Sequence, residues 1–170
     1  GVQTMIVSNA AGGMNKSYKI GDLVIITDHI NLFPDHPLRG TNDDRLGPRF
    51  PDMSEPYNRR LISLAQTIAA EQGIEVHTGV YTGIQGPTFE TSAEYRWLHT
   101  IGGDLVGMST VPEAIVAIHA GIKVFGASIV TDIGISDGPL IPLSLEDVLA
   151  AANEAAPRLA GLTAELIKRM

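Results

Sequence analysis

The stretch Val124 to Val130 (Val-Phe-Gly-Ala-Ser-Ile-Val) carries no charge and no polar face at helical spacing. A run of this length is a strand buried on both faces, and it falls far below the ~20 apolar residues that a membrane-spanning helix needs. Such a strand has to be covered by a layer on each side. The rest of the chain therefore has to supply helices between strands.

The pattern along the chain does so. Thr4 to Ser8 is a short β-branched run leading into Asn9-Ala10-Ala11-Gly12-Gly13, which reads as a small-residue turn, and Leu23 to Thr27 is a second strand. His29 to Glu55 is rich in Pro, Gly, Asp and Asn and predicts a long irregular segment, a type that usually serves function or an interface. Tyr57 to Gln72 has helical spacing and stops at Gly73. Val76 to Tyr81 is a strand, and Thr91-Ser92-Ala93-Glu94 is a capping-box pattern opening a helix to about Ile101. Leu105-Val106 is a brief strand, Pro112 suits the first turn of a helix that Gly121 ends, and Ser144 opens a last helix with acids first and Lys168-Arg169 at its end. Strand and helix alternate, which predicts one α/β domain over residues 1–170 with a mixed, largely parallel twisted sheet flanked by helices. Ligands of such sheets bind beyond the carboxyl ends of strands, here after Ser8, Tyr81, Val106 and Val130.

Composition narrows the function classes. A net charge of −7 without a Lys/Arg cluster argues against nucleic acid as partner. The absence of cysteine excludes disulfides, a thiol nucleophile and thiolate metal sites, and fits a reducing cytoplasm. No signal peptide or membrane span is visible, and the five histidines share no metal-ligand spacing. Gly1-Val2-Gln3 runs almost directly into a strand, as if the chain began inside a domain.

Four segments carry candidate chemistry, each with a plainer reading beside it. Asn9 to Gly13 is either a tight turn or a nest whose N–H groups approach an anion. Phe89-Glu90 is either a solvated pair before a helix or a platform for a flat heterocycle, with the ring on its face and the carboxylate on its N–H edge. Met108, Ser109 and Thr110 precede a helix; the hydroxyls are N-caps or part of an anion site, and Met108 is core filling or a contact. Asp132, at the end of the most apolar strand, is a cap or a functional acid at the sheet rim.

In this order the segments resemble one family. Ser8-Asn9-Ala10-Ala11-Gly12-Gly13, Asp28-His29-Ile30-Asn31-Leu32, Pro37-Leu38-Arg39-Gly40, Gly86-Pro87-Thr88-Phe89-Glu90-Thr91 and Gly107-Met108-Ser109-Thr110-Val111-Pro112-Glu113 are similar to the trimeric, low-molecular-mass purine nucleoside phosphorylases. The resemblance implies phosphorolysis of inosine or guanosine to free base and pentose 1-phosphate, with phosphate as co-substrate, no cofactor and no metal. It implies a cytoplasmic homotrimer. It gives Ala10 a backbone N–H and Ser109 a hydroxyl for phosphate, and Glu90 the N1–H side of a 6-oxopurine. Phe89, Val106 and Gly107 form the base slot, Met108 contacts the ribose and Tyr81 lies near the sugar. Phe50 reaches the site of the neighbouring subunit.

Three departures accompany it. The family's chain is longer at its N-terminus, where a Ser-containing loop and an Arg-x-His segment bind phosphate. On that expectation strands and most of the phosphate half lie outside these residues. Asp132 stands where many members have Asn; if Glu90 repels it into its protonated form, Asp132 donates to purine N7. Leu145 stands where the family has a His for the 5′-hydroxyl, an apolar choice similar to the methylthioadenosine phosphorylases. That related enzyme and a non-catalytic purine-binding remnant are the competing readings.

Overall fold

The computed structural model describes residues 1–135 and 142–170. Five strands and four helices follow one another: β1 (Thr4–Gly13), β2 (Leu23–Asn31), α1 (Arg59–Gln72), β3 (Val76–Gly83), α2 (Ser92–Thr100), β4 (Leu105–Gly107), α3 (Val111–His119), β5 (Lys123–Ile133) and α4 (Leu145–Arg169). The α/β class and a mixed sheet flanked by helices are as expected; closure of the sheet was not foreseen. The strands close into a barrel in the order β1-β4-β3-β2-β5. Pairs β1–β5, β2–β3 and β3–β4 are parallel, while β1–β4 and β2–β5 are antiparallel.

Two β-bulges account for the closure. Where β1 pairs β5, register shifts at Ala11/Gly12 with Thr131 of β5 as the extra residue; where β2 pairs β3, Thr27 of β2 is the extra one, and such an insertion bends its strand and adds twist. Past this shift, β1 keeps β5 on one edge and takes β4 on the other, with Gly12 opposite Val106 and Gly13 opposite Leu105.

These contacts correct two expectations. Asn9 to Gly13 is not a turn but the second half of β1. Its glycines serve close packing: a Cβ on Gly13 would stand 2.9 Å from Ile133 Cδ1, and one on Gly12 would stand 3.2 Å from Val106 Cγ1. Likewise β2 runs on to Asn31 instead of ending at Thr27, so the segment without helix or strand is 32–58.

The two-faced burial expected of Val124–Val130 is present. On β5, Val124 and Val130 join one core cluster while Phe125, Ala127 and Ile129 join another; on β2, Val24 and Ile26 part from Leu23 and Ile25 in the same way. This is the two-residue period of a strand. Helix α3 covers the first face through Val111, Ala114, Ile115 and Ala117. Helices α1 and α4 cover the second, α4 through Ala155, Leu159, Leu162 and Leu166 at helical spacing. Each buried leucine contributes roughly 1.5–3 kcal/mol. The capping box read at Thr91 is formed, with Glu94 N–H on Thr91 Oγ1 at 3.3 Å and Thr91 N–H on Glu94 Oε2 at 2.7 Å. It fixes where α2 begins, directly after Glu90.

Candidate functional site

The carboxyl-terminal parts of β1 and β5, the exit of β4 and the segment before α2 converge on a cleft of about 360 Å³. Of the residues singled out from sequence, the cleft brings together Ala10, Phe89, Glu90, Val106, Gly107, Met108, Ser109 and Asp132. Two loops that carry them are tied to each other. Ile84 N–H donates to Gly107 O at 3.0 Å, and the backbone at Gly86 lies so close to the Met108 sulfur that a Cβ there would overlap it. No Lys, Arg or His lines the cleft among the described residues.

Three candidates lie elsewhere. Tyr81 is fully buried behind the cleft wall, where it accepts from Ser109 N–H at 3.4 Å. A Cβ on Gly107 would overlap the Tyr81 hydroxyl, so this glycine lets β4 cross a filled space. Phe50 is 87% exposed and lines a separate cavity with His29, Arg39 and Arg49. Leu145 is exposed at the first turn of α4 and does not line the cleft; Val148, one turn later, does.

One end of the cleft is a chain of hydroxyls. Thr110 occupies the position before α3 with φ of 72° and makes no capping bond with its side chain. Positive φ is an outlier for a β-branched residue and costs roughly 1–3 kcal/mol, held in place by its surroundings. The surroundings here are Asn9, whose Nδ2 donates to Thr110 Oγ1 at 2.7 Å, and Ser109, whose Oγ is 3.0 Å from Thr110 Oγ1. Asn9 fills one acceptor site on Thr110, and the Thr110–Ser109 bond can run in either direction; with Thr110 as its donor, the Ser109 proton is free to point into the cleft. Neither hydroxyl is used as a side-chain cap of α3 at Thr110, and Ser109 lines the cleft.

The other end is a pair of carboxyls. Tyr95, in the first turn of α2, donates its hydroxyl to Asp132 Oδ2 at 2.7 Å, and Thr131 donates to Asp132 Oδ1 at 3.1 Å. Burial holds the Glu90 carboxyl above the ordinary carboxylate range, with the nearby charges of Asp132 and Glu94 acting in the same direction. Its own backbone N–H and the Tyr95 hydroxyl oppose the shift. Burial and the Asp132 charge likewise raise the Tyr95 phenol far above its usual value. Asp132 has hydroxyl donors on both oxygens, and burial drives Glu90 towards the protonated form.

Tyr95 was not singled out from the sequence, nor were Thr131 and Val148. The capping box that ends beside Glu90 was the one available signal for Tyr95, since it sets the first turn of α2 against the site. A model of the phosphorylase superfamily matches residues 1–168. The chain belongs to the phosphorylase superfamily. It is 54% identical over 142 residues to purine nucleoside phosphorylase 1 of Bacillus subtilis (strain 168), covering 82% of this chain and 52% of that protein. A Schistosoma mansoni purine nucleoside phosphorylase solved with adenosine superposes with a TM-score of 0.92 at 42% identity, over 100% of this chain and 63% of that one. A Schistosoma purine nucleoside phosphorylase solved with guanosine gives 0.93 at 42% identity, over 100% and 64%. This phosphorylase-superfamily chain spans about half the length of the curated relative it matches.

Proposed function

We propose that the chain forms the base- and sugar-binding part of a purine nucleoside phosphorylase, an enzyme that splits purine nucleosides with inorganic phosphate and no cofactor. The observation that carries this reading is the pairing, in one cleft, of an aromatic-carboxyl edge (Phe89, Glu90) with a hydroxyl end (Ser109). The first suits a flat heterocycle with N–H donors, the second an anion.

In this reading phosphate attacks the anomeric carbon as the glycosidic bond breaks, and the base leaves as an anion that takes up a proton. The protein holds the two reactants in line and stabilises the departing charge. Glu90 and Asp132 address the purine edge, Phe89, Val106 and Gly107 form its slot, and Met108 meets the sugar. Ser109 and the backbone at Ala10 address phosphate. Tyr81 acts from behind by supporting the Gly107-Ser109 segment. Phe50 serves the cleft of another copy within a homotrimer, and the setting is the cytoplasm.

Leu145, the residue that favoured a methylthioadenosine enzyme, does not line the cleft. Phosphate dependence tests the proposal: inosine incubated with and without phosphate is assayed for hypoxanthine release. Release only with phosphate supports it; release in water alone indicates a nucleosidase. Binding of purine with no release under either condition indicates a non-catalytic remnant.

A further inference from the structure

His119 ends α3 and is 8% exposed, although it does not line the cleft that begins at the other end of that helix. Its Nε2 lies 3.2 Å from Asn42 Oδ1, in the segment without helix or strand. An amide oxygen only accepts, so Nε2 carries the hydrogen of this bond. The Asn42 amide nitrogen donates in turn to Gly47 O at 3.0 Å and to Asp44 Oδ1 at 2.7 Å. Those two acceptors fix the amide orientation, because a flipped Asn42 would turn its oxygen towards both. Asn42 thereby closes residues 42–47 on themselves and pins them to the end of α3.

Gly47 meets the helix at the same point. A Cβ on it would overlap the His119 carbonyl, so glycine is what admits the loop to the helix end. One turn earlier on α3, Ile115 lines the same cavity as Phe50, and residues four apart share a helix face. Phe50 stands three residues past Gly47 and is 87% exposed. Beside it, Arg49 Nη1 donates to Leu38 O at 2.7 Å, which joins the two arms of the segment. The helix that carries these contacts is itself fixed in the core through Val111, Ala114, Ile115 and Ala117. Over its nine residues it spans about 13 Å.

We propose that His119, through Asn42, is a positioning residue that sets where Phe50 stands. Helix α3 then holds Ser109 of its own cleft at one end, and at the other the ring offered to the cleft of a neighbouring copy. The inference rests on the reading above in which Phe50 serves another copy. An exposed aromatic on a long irregular segment loses conformational freedom when it is used, and a segment already pinned nearby loses less on binding. Without the pin, only the fraction of molecules with the segment docked is competent, and the apparent affinity for nucleoside falls by that fraction. The reacting atoms are untouched, so the loss falls on KM and not on kcat.

The test begins with trypsin, since Arg45 and Arg49 flank Gly47 in exposed positions. Under native conditions, cleavage of a docked segment follows the population of its open form. Asn42→Ala should speed cleavage after both arginines about fivefold, the factor for one lost hydrogen bond, while cleavage after Arg158 in α4 keeps its rate. In the inosine assay the same variant should raise the nucleoside KM and leave kcat and the phosphate KM in place. Added to Phe50→Ala, it should raise that KM no further, because no ring remains to be positioned. His119→Gln, whose amide donates as Nε2 does, should keep both trypsin resistance and KM. Gly47→Ala pushes the loop off the same helix end and should reproduce Asn42→Ala, which gives a second reading if the first variant fails to fold.

Unchanged cleavage after Arg45 and Arg49 overturns the pin, and so does an equal acceleration after Arg158, which is general loosening. An unchanged KM, or a rise that adds in full to that of Phe50→Ala, overturns the positioning role. Each of these results leaves the phosphorylase reading intact. A nucleoside KM untouched by Phe50→Ala itself overturns the sharing of Phe50 between copies along with this inference. Absence of base release in the presence of phosphate overturns the phosphorylase reading and the positioning role together.

Discussion

Asn9 Nδ2 donates to Thr110 Oγ1 at 2.7 Å, joining the end of β1 to the start of α3 across 101 residues of sequence. The bond fills one acceptor site on Thr110 and holds the hydroxyl that Ser109 Oγ meets at 3.0 Å. Asn9 Oδ1 is buried with no hydrogen-bond partner among the described residues, so the contact rests on its amide. Replacing Asn9 by Ala removes the orienting donor without adding charge. We expect the phosphate KM in an inosine assay to rise about tenfold, the effect of one lost hydrogen bond to a charged ligand, with the inosine KM little changed. A phosphate KM that stays put would show that Ser109 orients itself.

The glycine after β5 is a second point of dependence. Gly134 N–H donates to Gly13 O at 3.0 Å, and a Cβ on Gly134 would run into the Tyr95 ring. Ring carbons in a buried setting cannot swing away as a flexible chain end can. Gly134→Ala should cost about 1–3 kcal/mol, seen as a melting temperature several degrees lower. Combined with Tyr95→Ala, the loss should be smaller than the sum of the two, because the clash partner has gone. Additive losses in the double variant would place the strain somewhere other than the ring.

What the sequence disclosed and what it withheld divide along the same line. Helix limits were legible because caps are local: Thr91 with Glu94, Ser144 with Asp147, and Gly73 in the left-handed conformation each act within a few residues. The double-sided burial of Val124–Val130 was legible from its lack of polar positions. Closure of the barrel was not, since it depends on bulges at Ala11/Gly12 and around Thr27 and on a β1–β4 pairing far apart in sequence. The same held for the site. Glu90, Ser109 and Asp132 stood out as polar groups at strand exits, whereas nothing local sets Tyr95 apart within its helix. Only the fold places its hydroxyl 2.7 Å from Asp132. The glycines at 12 and 13 were visible but misread, as a turn where they permit close approach between strands.

The raised pKa of Glu90 has a consequence for stability that can be signed. A carboxyl held above its unfolded value by burial binds its proton more tightly when folded. Its contribution is fully present below the unfolded carboxylate pKa and is lost as pH rises through the higher folded value. Glu90→Gln is neutral at every pH and removes this dependence. The variant should therefore melt ~2–4 °C above the natural protein at pH 8, for each kcal/mol regained. The difference should vanish near pH 4. Parallel melting curves across that range would mean that Glu90 is as well solvated folded as unfolded.

Phe50 allows the proposed assembly to be tested without measuring its size. The side chain is 87% exposed, with the Arg49 guanidinium 5.7 Å from its ring centre, and it does not line the cleft of its own chain. Phe50→Ala should leave the stability of an isolated chain within about 0.5 kcal/mol, as for other exposed positions. If the ring completes the cleft of a neighbouring copy, the same change should raise the nucleoside KM. Mixing then gives the decisive comparison. Chains carrying Phe50→Ala retain Glu90, and chains carrying Glu90→Ala retain Phe50. A mixed assembly of the two has, at some interfaces, a cleft with both groups native. Activity at low nucleoside concentration that recovers when the two impaired variants are unfolded and refolded together, and not when they are refolded apart, is the expected outcome. No recovery on mixing, with both variants folded, would confine each cleft to a single chain and leave Phe50 without a part in it.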